Sequence, residues 1–135
     1  MKREKILVLI LCLVLLFACQ RSGKATAPVE LIGVWKTTAP AYADHPFEIK
    51  TDEVIFGTGE GQFDIYPIMK IKIEKDPREQ GPLYTLCYKT VEGQEYRFSF
   101  YYYPANHGTI RFKNQQEMVW TKEEAKHEKS DDQTS

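Results

Sequence analysis

Alternation of apolar and polar side chains with a period of two residues is the feature that most constrains how this chain folds. It runs through residues 69–73, 84–88, 96–103 and 109–113. Successive side chains of an extended strand point to opposite faces of a sheet. The pattern therefore predicts antiparallel strands with one buried and one solvated face. Weaker strand patterns occur at 31–38, 47–50, 52–56, 62–66 and 118–121.

Turn-forming residues separate these segments, and no window has the spacing of an amphipathic helix. In the middle of the chain, Pro67 is predicted to end a strand, and Met69, Ile71 and Ile73 are predicted to face the core. About eight or nine short strands spaced near ten residues apart are typical of an all-β sandwich or barrel. Residues 31–121 are predicted to form a single small antiparallel up-and-down barrel of about eight strands, because closure removes exposed edges.

The amino terminus has the organisation of an export signal. Met1–Lys5 is positively charged, and Ile6–Ala18 is an unbroken apolar run. The run is shorter than the roughly 20 residues that span a membrane as a helix, and its length suits the apolar part of a signal peptide. We therefore expect residues 1–18 to be a signal peptide that is removed.

The end of that run, Leu16-Phe17-Ala18-Cys19, resembles the lipobox of bacterial lipoproteins: an aliphatic residue, a variable one, a small one and a cysteine. The resemblance implies cleavage before Cys19 and attachment of acyl chains, such as palmitate, to that residue. Cys12 lacks a small residue before it and is not expected to be the acceptor. Gln20, standing where Asp would retain a lipoprotein in the inner membrane, implies the periplasmic face of the outer membrane.

Two polar segments flank the predicted barrel. Residues 19–30 are small and polar and are expected to form a flexible tether behind the lipid. Residues 122–135 are highly charged, lack aromatic residues and are expected to be a disordered tail.

Two short motifs resemble those of lipocalins. Gly33-Val34-Trp35 is similar to the G-x-W of the first lipocalin strand, and 117–122 is similar to the closing strand of lipocalin-like bacterial lipoproteins. The resemblance implies a lipocalin-like barrel in which Trp35 closes one end.

Sequence motifs for catalysis or cofactors are weak. The glycines of 57–61 precede no helix, so a hairpin loop is predicted rather than a phosphate site. His45, His107 and His127 lack metal-ligand spacing. Cys87 is either a buried small apolar residue or a reactive thiol. The net charge of −1 favours no nucleic acid. We expect a non-enzymatic protein without a cofactor or metal.

The aromatic residues, 13% of the chain, leave two functions open. One face of neighbouring strands either fills the barrel or lines a pocket for a small apolar ligand. Tyr101 and Tyr103, on the opposite face, are candidates for a contact surface with another envelope component. The first hypothesis is therefore an interaction or assembly module, and the alternative is a lipocalin-like binder. The candidate ligand-binding residues are Trp35, Tyr84, Tyr88, Phe98 and Phe100, and Tyr96 and Tyr102 share their face.

Overall fold

The computed structural model describes residues 25–124, which form a closed antiparallel barrel of eight strands. Each strand pairs with the next in sequence, and the last pairs with the first. The predicted all-β fold and small up-and-down barrel are therefore confirmed. The strands are β1 (Gly33–Lys36), β2 (Phe47–Ile49), β3 (Glu53–Gly59), β4 (Gln62–Glu74), β5 (Leu83–Lys89), β6 (Glu95–Tyr103), β7 (Thr109–Phe112) and β8 (Gln115–Lys122).

Helical structure in the described range is limited to two 3-10 helices, Val29–Leu31 and Ala105–His107. Neither is a helix of the length and apolar character needed to cross a membrane, and residues 25–124 contain no other.

Residues 25–32 cover one end of the barrel, called here the closed end. The Ala27 N–H donates to the Thr51 carbonyl at 2.7 Å, and the Leu31 side chain is fully buried. The Trp35 indole N–H donates to the Leu31 carbonyl at 2.9 Å and fixes this segment against β1. The opposite end, called the mouth, carries the turns between β3 and β4, β5 and β6, and β7 and β8.

Both predicted boundaries of the barrel differ from the observed ones. Residues 25–30 were predicted to belong to the tether. They pack against the closed end, as the burial of Ala27 shows. Lys122, predicted as tail, is the last residue of β8, and the Glu123 N–H donates to the Val34 carbonyl. The signal peptide, Cys19 and the tail from residue 125 lie outside the described residues.

A bulge in β4 makes two predictions there wrong. The strand continues through Pro67, which sits at the point where pairing passes from β3 to β5. The register shifts between Ile68 and Lys70, so one extra residue enters the strand. Ile68 and Ile71 consequently pack in the core and Met69 is exposed, whereas Ile73, in line with Ile71 and opposite Tyr84, is exposed because it lies near the end of the strand.

Aromatic rings fill the interior. The Phe47 centroid lies 5.0 Å from that of Trp120 and 5.6 Å from that of Phe112. Phe98 lies 5.3 Å from Phe100. These spacings are those of rings in contact, so side chains occupy the barrel. Aliphatic residues complete the core, namely Ile49, Val54, Ile68, Leu86 and Ile110.

Candidate functional site

Three of the five predicted ligand-binding residues are structural residues in the barrel core. Trp35 and Phe100 are fully buried, and the Phe100 ring stacks on Tyr84 with centroids 5.8 Å apart. Trp35 also lies under the Lys122 ammonium, 5.1 Å from the ring centroid, as in a cation–π contact. Trp35 thus lies against residues 25–32 at the closed end.

Hydrogen bonds at the closed end join β5 and β8 to Glu30. The Tyr84 hydroxyl donates to the Glu30 carboxylate at 2.9 Å, and the Lys122 ammonium donates to the Glu30 carbonyl at 2.7 Å. Burial, followed by the bond to Glu30, raises the pKa of Tyr84 to about 12. Burial lowers the pKa of Lys122. These shifts accompany a packed closure and do not identify a reaction centre.

The other two predicted residues, Tyr88 and Phe98, meet at the mouth. They join Phe56 and Phe112 in the floor of an open cavity of about 670 Å³, called here the mouth notch. Phe56 lies 5.4 Å from Tyr88 and 5.6 Å from Phe98 between ring centroids. Tyr96 stacks on Tyr88 at 5.7 Å but is 45% exposed, because it lies at the barrel rim.

Positive charge borders the mouth notch. Arg97 and Lys113 contribute to its lining, together with Ser99, Asn114 and Gln115, and no carboxylate lines it. Neither cation forms an ion pair with another residue of 25–124. The notch therefore combines an aromatic floor with an unneutralised cationic rim, a pairing that the sequence pattern did not identify.

Tyr101 and Tyr103 face outward as predicted, but Tyr101 is not an exposed contact residue. It is only 3% exposed, because the β4–β5 loop covers it. Its hydroxyl donates to Asp76 at 3.1 Å, and the Tyr103 hydroxyl donates to Glu79 at 2.9 Å. These two tyrosines hold the loop on the barrel wall.

The exposed apolar surface lies instead on the outside of β1 to β4. Phe63 and Ile65 are 58% and 56% exposed, and Ile65 stands directly opposite Ile55. Phe63 and Ile55 also line an open cavity of about 250 Å³ with Val34 and Pro46. This set, Val34, Pro46, Ile55, Phe63 and Ile65, is called here the outer apolar face.

The sequence pattern did not mark Phe63 and Ile65 as surface residues. Their alternation with Gln62 and Asp64 is the same as that of inward-facing residues. The register of β4 places Tyr66 inside, 6.2 Å from Phe56 between ring centroids, and therefore turns Phe63 and Ile65 outward.

The remaining polar candidates are dispersed. Cys87 is half-buried on the outer side of β5, opposite Lys70 and Arg97. Within residues 25–124, no three His, Cys, Asp or Glu side chains are grouped so that they would hold a metal ion. Inside the barrel, the buried Trp120 indole nitrogen has no hydrogen-bond partner among the described residues.

The glycine-rich stretch 57–61 forms no phosphate site. β3 continues to Gly59 and β4 begins at Gln62, so Glu60 and Gly61 alone make the turn. Both have positive φ, 52° and 73°, as a tight two-residue hairpin turn requires. The predicted hairpin is thus present, with a shorter turn than expected.

Comparisons of the chain with protein-family models, curated proteins and solved structures found no match.

Proposed function

We propose that this protein is a non-enzymatic interaction module of the bacterial envelope, anchored by lipid on Cys19, and that it binds another protein through the outer apolar face. The observation that carries the proposal is the exposure of Phe63 and Ile65 beside an open apolar cavity. Fully burying an exposed side chain of this size contributes about 1.5–3 kcal/mol, so a partner that covers the exposed part of Phe63 and Ile65 gains roughly half of that for each.

The chemistry around the outer apolar face favours a protein over a lipid surface. The cavity is concave and accommodates an inserted side chain. Charged groups surround it, including the Lys36–Glu123 ion pair at 2.8 Å. Glu48 stands between Val34 and Ile55 and forms no ion pair with another residue of 25–124. The expected partner therefore inserts an apolar side chain next to a lysine or arginine that pairs with Glu48.

The alternative of a small apolar ligand inside the barrel is less well supported. The rings of Phe47, Phe98 and Phe112 are in contact at the barrel centre. A carrier needs a cavity of about 300 Å³ or more that encloses its ligand, whereas the mouth notch, although about 670 Å³ in volume, is open and lies above the packed rings. The packed interior weighs against a carrier function.

Photocrosslinking in the cells that produce the protein tests the docking surface. A photoreactive residue at position 63 is expected to give one discrete adduct with another protein, and Glu48→Lys is expected to abolish it. The matched controls are a photoreactive residue at Val91, exposed at the tip of the β5–β6 turn, and the charge reversal Glu92→Lys. Adducts with lipid alone, or with a second copy alone, or persistence in Glu48→Lys would overturn the proposal.

Lipid anchoring is tested separately by labelling cells with a palmitate analogue. The full chain and its Cys12→Ser variant are expected to incorporate label and sediment with membranes, whereas Cys19→Ser is expected to do neither. Label retained in Cys19→Ser would contradict the anchor.

A further inference from the structure

The wall of the barrel is incomplete along one side of β6, beside the mouth notch. β6 pairs with β5 along its length, from Tyr101 opposite Leu83 to Glu95 opposite Lys89. Its pairing with β7 covers only 100–103. The last bond on that side is donated by the Lys113 N–H to the Ser99 carbonyl at 3.0 Å. Residues 95–98 therefore present a strand edge.

Backbone directions along β6 show which groups that edge offers. The Tyr102 N–H donates to Pro82 on the β5 side. Backbone groups of successive strand residues alternate in direction, so those of Ser99 and Arg97 point to the β7 side. The Ser99 N–H and both backbone groups of Arg97 have no partner among residues 25–124. A row of donors and acceptors of this kind is what an added strand pairs with.

We propose that this edge binds an extended acidic segment of another protein by strand addition, with its apolar side chains on the floor of the mouth notch. Phe98 faces the floor and Arg97 faces outward, so a residue paired with Arg97 also faces outward. The preferred segment therefore has an acidic residue opposite Arg97, flanked on each side by apolar residues. This second interface is independent of the outer apolar face.

The charge of the mouth notch favours an acidic segment as its occupant. The notch is lined by Arg97 and Lys113 and by no carboxylate, so an acidic segment complements it. Two copies could also join through this edge with Arg97 opposite Glu95, so a second copy is the competing occupant that the test must separate.

Hydrogen exchange with a defined peptide tests the proposal. The full chain in phospholipid nanodiscs is mixed with an acetylated nine-residue peptide that alternates valine with glutamate and serine. We expect the amides of Arg97 and Ser99 to exchange fast alone and to be protected when the peptide binds. Arg97→Glu combined with Lys113→Glu is expected to weaken binding at least about tenfold, whereas Lys50→Glu at the closed end is expected to leave it unchanged.

Three results would overturn the inference. The first is peptide binding that leaves the amides of 97 and 99 unprotected, which would indicate a cavity ligand. The second is unchanged affinity in the double charge reversal, or equal affinity for a peptide with lysine in place of glutamate. The third is protection of these amides by raising the concentration of the protein alone, which would assign the edge to a second copy.

Discussion

Single atoms decide how the β4–β5 loop is held on the barrel wall. Gly81 lies against the backbone carbonyl of Tyr102, where a Cβ atom would overlap the oxygen. Asp76 accepts hydrogen bonds from the Arg78 N–H and from the Tyr101 hydroxyl. The position of the loop on the barrel wall therefore depends on the absence of a side chain at Gly81 and on the carboxylate of Asp76.

Replacing Gly81 with alanine is expected to destabilise the barrel by about 1–3 kcal/mol, because neither the loop nor the β6 backbone can move aside freely. Urea unfolding followed by tryptophan fluorescence measures the change. Gln80→Ala, at the exposed neighbouring position, is the control and is expected to unfold near the parent midpoint. Equal midpoints for both variants would show that the loop yields easily.

Acid is expected to weaken this loop through Asp76. The bond from the Arg78 N–H, and then that from Tyr101, hold the pKa of Asp76 below its usual 3.8. A carboxyl with a depressed pKa stabilises the fold above its unfolded-state value, and the contribution is lost as the pH falls through the folded value.

Urea midpoints at pH 6 and pH 3 for the parent chain and Asp76→Asn measure this effect. At pH 6 the parent chain is expected to have a higher urea midpoint than Asp76→Asn, and the difference between the two midpoints is expected to shrink at pH 3. Asp44→Asn, in the exposed β1–β2 loop, controls for a general charge effect. An equal difference between the midpoints of the parent and Asp76→Asn at both pH values would contradict the stabilising role of the Asp76 carboxylate.

At the scale of elements, the indole of Trp35 joins residues 25–32 at the closed end to β1. Trp35 donates to Leu31, whereas Trp120, also buried, has no partner for its N–H among residues 25–124. The two tryptophans form a matched pair in which only one anchors a neighbouring segment.

Trp35→Phe is therefore expected to cost about 1 kcal/mol more than Trp120→Phe, since it leaves the Leu31 carbonyl without its donor. Both variants lose ring volume, which the comparison cancels to first order. Calorimetric or urea unfolding measures the two free energies. Equal losses would mean that solvent replaces the indole at the closed end.

β4 shows where sequence reasoning succeeds and where it ends. Period-two alternation predicted the strands and the barrel, because it follows from which face is buried. The extra residue between Ile68 and Lys70 left no distinct signal, since Ile68 and Met69 are both apolar. The sequence predicted Tyr88 and Phe98 as ligand-binding residues. It did not predict the position of Arg97 at the mouth notch or the exposure of Phe63, because both depend on strand register and strand length, which the local pattern does not specify.

At the scale of the whole molecule, we expect the barrel to carry no resident ligand, because aromatic rings fill its interior. The full chain is expected to show the same mass by native mass spectrometry as after denaturation, apart from detergent adducts. Trp120→Ala, which opens space beside Phe47 and Phe112, is the positive control for ligand uptake. A reproducible extra mass on the order of a few hundred daltons in the parent, the size that ligand pockets hold, would favour the carrier function.

Barrel closure also has a consequence for the order of the chain. Lys36 and Glu123 are in contact although they lie 87 positions apart, so the β1–β8 seam joins residues near both ends of the described chain. A circular permutant that links residue 124 to residue 25 and opens the Glu60–Gly61 turn would keep every strand pair. The β1–β8 pairs would become local, but the more numerous β3–β4 pairs would become the most distant ones, so the permutant is expected to refold more slowly than the natural order in stopped-flow experiments.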